Sequence, residues 1–169
     1  MCIRKLDIPV VAALHGHCVG GGAGIAIGAA DLRIAAPDTI LRFNFVKELG
    51  IHPGMATTSL LPKLVGGAFT TQMLLQVPHK DVSSTRAREL GILLDVVEDP
   101  FSKAMSVATE LAAANPVAMS SLLKTLRSSS EHMQDLERVL VTEGKQQALS
   151  FASPVTRAIF SNKRIPPKL

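Results

Sequence analysis

PVVAALHGHCVGGGAGIAIGAADLRIA, residues Pro9 to Ala35, carries the main folding signal of this chain. Pro9 to Leu14 is a short β-branched and apolar run, the pattern of a buried strand. Gly20-Gly21-Gly22 follows after a five-residue interval, and then Ala23 to Ala30, which is small and apolar on every side. A helix of that composition is buried on several faces. Leu32 to Ala35 reads as a second strand and Pro37-Asp38 as a turn. Strand, glycine turn, helix, strand is a βαβ unit, and its two strands pair in parallel. Glycine costs roughly 0.5–1 kcal/mol against alanine inside a regular element. Three in a row therefore need a reason: a strained turn, close backbone packing, or a row of N–H groups aimed at a ligand.

Outward from this unit the pattern turns helical. Met55 to Leu64 and Ala68 to Leu75 read as short helices, broken by Gly66-Gly67 and stopped near Pro78. Ser84 to Leu90 is another, ended by Gly91 as a C-terminal cap, and Ile92 to Val97 is a further short strand. Ser102 to Ala113 is helical. Asn115-Pro116 caps a helix running to about Arg127, Met133 to Ser150 forms another, and Ser153-Pro154 opens a last one ending near Asn162. No internal repeat or low-complexity linker divides the chain. The reading gives a core over residues 1–100 and a helical region over 101–169, with a thin sheet of two or three strands.

Composition narrows the class. The chain has 169 residues, 47% hydrophobic and 19% charged, which suits a globular core and argues against disorder. No apolar run approaches the roughly 18 residues of a membrane span. The N-terminus lacks the apolar region of a secretory signal. Two cysteines, Cys2 and Cys18, make neither a disulfide framework nor a four-ligand zinc site, so both read as free thiols in a reducing compartment. The net charge of +4 comes from the last fifty residues, which end in a basic tail carrying Lys163, Arg164 and Lys168. Such a tail suits phosphates. The absence of Tyr and Trp argues against nucleic acid as the partner.

A glycine-rich turn into a helix N-terminus makes an anion site, because the first N–H groups have no intrahelical acceptor and the helix dipole is positive there. Two uses compete. Gly22-x-Gly24-x-x-x-Gly28 resembles a dinucleotide fingerprint, but His15 to Val19 separate it from the strand and no second βαβ half follows. The other use is an oxyanion hole, where an N–H stabilises a thioester oxygen that becomes negative during reaction. His15 and His17 share a face of an extended segment, and with His52 they make a three-histidine set. No acidic shell accompanies them, so structural roles are expected and no metal.

The stretch PVVAALHGHCVGGG with the following DLRIA is similar to the signature of the crotonase, or enoyl-CoA hydratase/isomerase, family. The resemblance continues through NFVKELGIHPG (Asn44 to Gly54), LPKLVG (Leu61 to Gly66), SSTRARELGILLDVV (Ser83 to Val97) and the F-x-x-K-R-x-P pattern of Phe160 to Pro166. It implies an α/β crotonase-like ββα spiral with a C-terminal helical region. It also implies an acyl-CoA ligand or substrate, no cofactor beyond the CoA thioester itself, and a homo-oligomeric trimer or hexamer. By the same resemblance the oxyanion N–H belongs to Gly21, or to Gly22 in the alternative register. Val19, Gly20, Phe45, Leu49, His52 and Pro53 fall at substrate-lining positions. Phe160 matches the contact near the adenine and Lys163 the contact to the CoA phosphates. The family's second oxyanion N–H comes from an A-G-x-D strand that does not precede Pro9 here. The resemblance thus implies a spiral incomplete at the N-terminus, with exposed strand edges, stable as an oligomer or as part of a longer product.

The acids depart from the pattern. Hydratases of the family use two glutamates to activate water, and isomerases need at least one carboxylate to move a proton. The first position falls on Gly24, or on Ile25 in the other register. The second falls on Val46, or on Phe45. None can transfer a proton. Glu48, close by, is the candidate substitute base, against the alternative of an acid paired with a neighbour. Two classes stay open: an acyl-CoA enzyme of the hydratase/isomerase type, and an acyl-CoA-binding or subunit-pairing relative without turnover. Pro167-Lys168-Leu169 resembles the S-K-L peroxisomal address, with mitochondrion or cytoplasm as alternatives.

Overall fold

A computed structural model describes residues 3–131 and 133–162. A single 3-10 turn, Ile3–Lys5, leads to β1 (Val11–Leu14), β2 (His17–Val19) and α1 (Gly21–Ala29). Next come β3 (Leu32–Ala35), β4 (Ile40–Arg42), α2 (Thr57–Leu75), β5 (Val82–Ser83), α3 (Ser84–Glu89) and β6 (Asp95–Val96). The chain then continues through α4 (Pro100–Ala112), α5 (Pro116–Glu131), α6 (Met133–Ala152) and α7 (Pro154–Asn162).

The expected βαβ unit is present: β1 and β3 pair in parallel from Val11 opposite Leu32 to Leu14 opposite Ala35, with α1 between them in sequence. β6 adds to β3, also in parallel, giving the order β1-β3-β6. A second three-stranded sheet, β2-β4-β5, was not anticipated. Its strands are two or three residues long, too short to show an alternating pattern. Backbone hydrogen bonds from outside each strand hold them in place. The Gly20 N–H donates to Arg42 O at 2.8 Å, Ile40 to Gly16 O at 2.9 Å, and Ser84 to Thr39 O at 3.0 Å. Among the described residues both sheets have their N-terminal strand, β1 or β2, at an edge.

Phe43, Ile34, Leu41, Leu61 and Ile92 are the largest fully buried apolar side chains. α1 runs through this core with Ala23, Gly24, Ala26, Ile27, Gly28 and Ala29 buried, as its all-round apolar composition requires. The DLRIA motif anchors its far end. Arg33 is 7% exposed and donates from Nε to Ile92 O at 2.7 Å and from Nη1 to Ala30 O, so a cation sits at the negative end of the helix. Asp31 Oδ2 accepts the Val10 N–H at 2.8 Å, and Arg127 Nη2 donates to both carboxylate oxygens at 3.1 and 2.8 Å while its Nη1 donates to Arg4 O and Leu6 O.

The break expected at Gly66-Gly67 is present: Gly66 has non-helical backbone, φ 78° and ψ 161°, so α2 is two helices joined across a kink. Its start lies later than expected, because Met55 and Ala56 adopt left-handed backbone at φ 61° and 58°. Such residues cost about 1–2 kcal/mol each and persist only when their surroundings impose the conformation. Here the buried Glu143 of α6 imposes it, accepting the N–H of Ala56 at 2.8 Å and of Thr58 at 3.0 Å.

Candidate functional site

The site begins at Gly20. Its φ of 54° lies in the left-handed region, and a Cβ there would stand 2.8 Å from Asn44 Oδ1, so conformation and space both demand glycine. Gly20 O accepts from Gly24 N at 2.9 Å and its N–H is taken by Arg42. The next three N–H groups, of Gly21, Gly22 and Ala23, open α1 and have no acceptor within the helix. Ala23 is fully buried, Gly21 half-buried and Gly22 exposed. A solute therefore reaches Gly21 and Gly22. A Cβ on Gly21 would meet nothing within 4 Å, and one on Gly22 would touch only Cys18 Sγ at 4.0 Å. Val19 and Cys18 are half-buried beside this turn, and burial pushes the Cys18 thiol pKa up, so it stays protonated at neutral pH.

Gly24, the first acid position, is closed off. A Cβ on it would stand 3.0 Å from Thr57 Oγ1, 3.1 Å from Met55 Cβ and 3.2 Å from Met55 Cγ. Thr57 Oγ1 in turn donates to Gly54 O, so the neighbour has little freedom to move. Ile25, the alternative, is half exposed. At the second position Val46 is 43% exposed, whereas Phe45 belongs to the core. Glu48 accepts from Gln76 Nε2 at 3.1 Å, lies 3.7 Å from Lys80 Nζ and is hydrogen-bonded to the Asn44 side chain. Burial alone would raise its pKa. The Gln76 hydrogen bond, the Lys80 and Arg42 charges and the Asn44 contact together outweigh burial and hold the carboxyl below its ordinary value. Arg42 ends β4, Asn44 lies in the β4–α2 loop, and Gln76 and Lys80 follow the end of α2, with Asn44 the link back to Gly20.

The GIHPG loop is clamped from the C-terminal helices. Thr156 Oγ1 donates to Gly50 O at 2.7 Å, Gln147 Nε2 to His52 O at 3.0 Å, and the His52 N–H to Ser150 Oγ at 3.2 Å. Gly50 (φ 65°) has no room for a Cβ against Thr156 Oγ1 and Ile159 Cδ1, at 3.0 and 3.1 Å. His52 is half-buried, its Nδ1 2.6 Å from Pro53 O, and Pro53 is buried. Leu49 packs partly buried against the core. The structure thus brings the glycine turn and this loop together through Gly24, Met55 and Thr57. Glu143, Gln147 and Ser150 were missed by the sequence reading. Their spacing of four and three residues puts them on one face of α6, a polar stripe that could have been recognised.

Phe160 is 44% exposed and its ring centroid lies 5.7 Å from that of Phe151. Lys163 and Pro167-Lys168-Leu169 lie outside the described residues, as does Cys2. His15 and His17 are both exposed on the β1–β2 segment. Among the described residues no three His, Cys, Asp or Glu side chains gather as a metal site. No described helix is long and apolar enough to cross a membrane.

The sequence model of the enoyl-CoA hydratase/isomerase family matches residues 1–157. The chain belongs to that family. A curated member, fatty acid oxidation complex subunit alpha of Shewanella frigidimarina (strain NCIMB 400), is 39% identical over 135 residues. That match takes in 76% of this chain and 18% of the relative. The enoyl-CoA hydratase/isomerase of Pseudoalteromonas atlantica T6c superposes with a TM-score of 0.85 at 23% identity, covering 99% of this chain and 67% of that one. An enoyl-CoA hydratase of Mycobacterium avium subsp. paratuberculosis K-10 gives 0.84 at 24% identity, over 94% and 65%. These superpositions establish the crotonase fold. The chain spans less than a fifth of the curated relative and about two thirds of the solved structures.

Proposed function

We propose that this chain acts on acyl-CoA thioesters of the enoyl-CoA type, placing the thioester oxygen on the N–H groups of Gly21 and Gly22. The carrying observation is that Gly21 and Gly22, which open α1, are half-buried and exposed while the next residue, Ala23, is fully buried. Preorganised N–H donors at a helix start favour the charge of an enolate over the neutral carbonyl, which is the differential stabilisation catalysis requires. The clamped Gly50–Gly54 loop forms the neighbouring wall.

A second reading, binding without turnover, is favoured by one specific feature. Gly24 is sealed by Met55 and Thr57, and Glu48 is engaged by Gln76 and Lys80, so no carboxylate stands free beside the glycines at the positions considered. We propose in addition that the chain assembles as a homo-oligomer, since α4 to α7 leave large apolar side chains exposed.

Calorimetric titration of the chain with crotonyl-CoA and with free CoA, followed by a hydration assay on the same sample, tests the proposal. Tighter binding of crotonyl-CoA than of CoA is expected, and loss of that difference in Gly22→Pro, which removes one N–H. Equal binding of both ligands would overturn the thioester contact. Turnover would decide for the enzyme, and binding without turnover for the second reading.

A further inference from the structure

Ile25 and Met55 are large apolar side chains left exposed beside the opening turns of α1. Helical residues three and four apart are neighbours, about 5–6 Å from one another. Gly21, Gly24 and Ile25 therefore share one face of α1, and Ile25 is the first residue along it, beyond Gly21, to carry a side chain. Met55 lies over the glycine between them. Its Cβ and Cγ stand 3.1 and 3.2 Å from the place a Cβ on Gly24 would take. Behind Gly21 the turn is closed, because a Cβ on Gly20 would stand 2.8 Å from Asn44 Oδ1.

Met55 does not hold this place by its own preference. Its backbone is left-handed at φ 61°, a region that residues with a Cβ rarely adopt. The buried Glu143 fixes the next residues, accepting the N–H of Ala56 and both the N–H and Oγ1 of Thr58. Thr57 Oγ1 donates to Gly54 O, which ties the residue after this pair to the one before it. A backbone outlier kept in place by its surroundings is a fixed part of the surface it borders.

We propose that Met55 sets the length of acyl chain this protein accepts. The proposal rests on the reading that the thioester oxygen sits on the N–H groups of Gly21 and Gly22. The acyl chain then leaves over the face shared by Gly21, Gly24 and Ile25, with Ile25 as its apolar floor. Met55 stops it about one helical turn away. A crotonyl chain fits that space, and a decenoyl chain runs into the Met55 side chain.

Calorimetric titration of the full chain with crotonyl-CoA, trans-2-decenoyl-CoA and free CoA is the test. Crotonyl-CoA should bind wild type at least about tenfold more tightly than decenoyl-CoA. Met55→Gly removes the side chain and takes the left-handed backbone without strain. It should tighten decenoyl-CoA by about tenfold or more, with a smaller effect on crotonyl-CoA. Met55→Leu keeps the bulk and should keep the preference for the short chain. Suppose crotonyl-CoA outbinds free CoA, yet decenoyl-CoA binds wild type as tightly or gains nothing in Met55→Gly. The role of Met55 would then be overturned and the thioester contact would stand. Equal binding of crotonyl-CoA and free CoA would overturn the thioester contact and the role of Met55 with it.

Discussion

Two glycines two residues apart in α1 show how one methyl group can act in opposite directions. Gly22 faces open space, and a Cβ there meets only Cys18 Sγ at 4.0 Å. Alanine gains helix propensity, up to about 1 kcal/mol, so Gly22→Ala should leave stability unchanged or raise it. Gly24 meets Met55 Cβ and Thr57 Oγ1 at 3.1 and 3.0 Å, the root of one side chain and a hydrogen-bonded hydroxyl. Overpacking typically costs about 1–3 kcal/mol, which exceeds the propensity gain. Gly24→Ala should therefore lower stability by about 1–2 kcal/mol in urea unfolding. A stabilised Gly24→Ala would mean that Met55 swings away freely, and that the first acid position is not sealed. The glycine triplet and the vacant acid positions were legible in the sequence. That a Cβ on Gly24 would press against Met55 and Thr57 was not, because these residues lie more than thirty positions further along the chain.

Between elements, the loop carrying Asn44 to Gly54 is held at two ends by side chains the loop itself does not supply. Gln147, Ser150 and Thr156 of α6 and α7 hold the C-terminal half, and Glu143 holds Ala56 just beyond it. Glu48 ties the other half to Gln76, which caps the kinked helix α2 in left-handed backbone. The folded-state pKa of Glu48 lies below its ordinary value of 4.5. A carboxyl lowered on folding contributes stability above the unfolded value and loses it as pH falls through the folded one. Wild type should accordingly exceed Glu48→Gln in stability at neutral pH, and the difference should shrink as pH falls below 4.5 and on through the lower folded-state pKa. Urea titrations of both proteins across that range give the measurement. A difference independent of pH would show that the carboxylate charge contributes nothing.

For the whole molecule, the C-terminal helices bury little of their apolar surface within one chain. Phe101 on α4, Val117 on α5, Leu149 on α6 and Val155 on α7 are 67, 73, 67 and 68% exposed. Extended apolar surface of this kind marks an interaction face. Sedimentation should give a mass above that of one 17.9 kDa chain, and Leu149→Glu, at an exposed position, should shift the equilibrium toward the monomer. A monomer in both proteins would refute the assembly. By itself the sequence determined the local elements with long patterns: the βαβ unit, the all-apolar α1, the capped C-terminal helices, and the family through its ordered motifs. Hydrophobic period and cap chemistry are properties of neighbouring residues, so they are written locally. Only the tertiary structure decided the second sheet, the left-handed Met55-Ala56 pair, the close packing at Gly24 and the gathering of Arg4 and Arg127 on Asp31. Each of these depends on residues distant in sequence, such as Arg127 and Asp31 or Glu143 and Ala56, whose contacts leave no periodic trace.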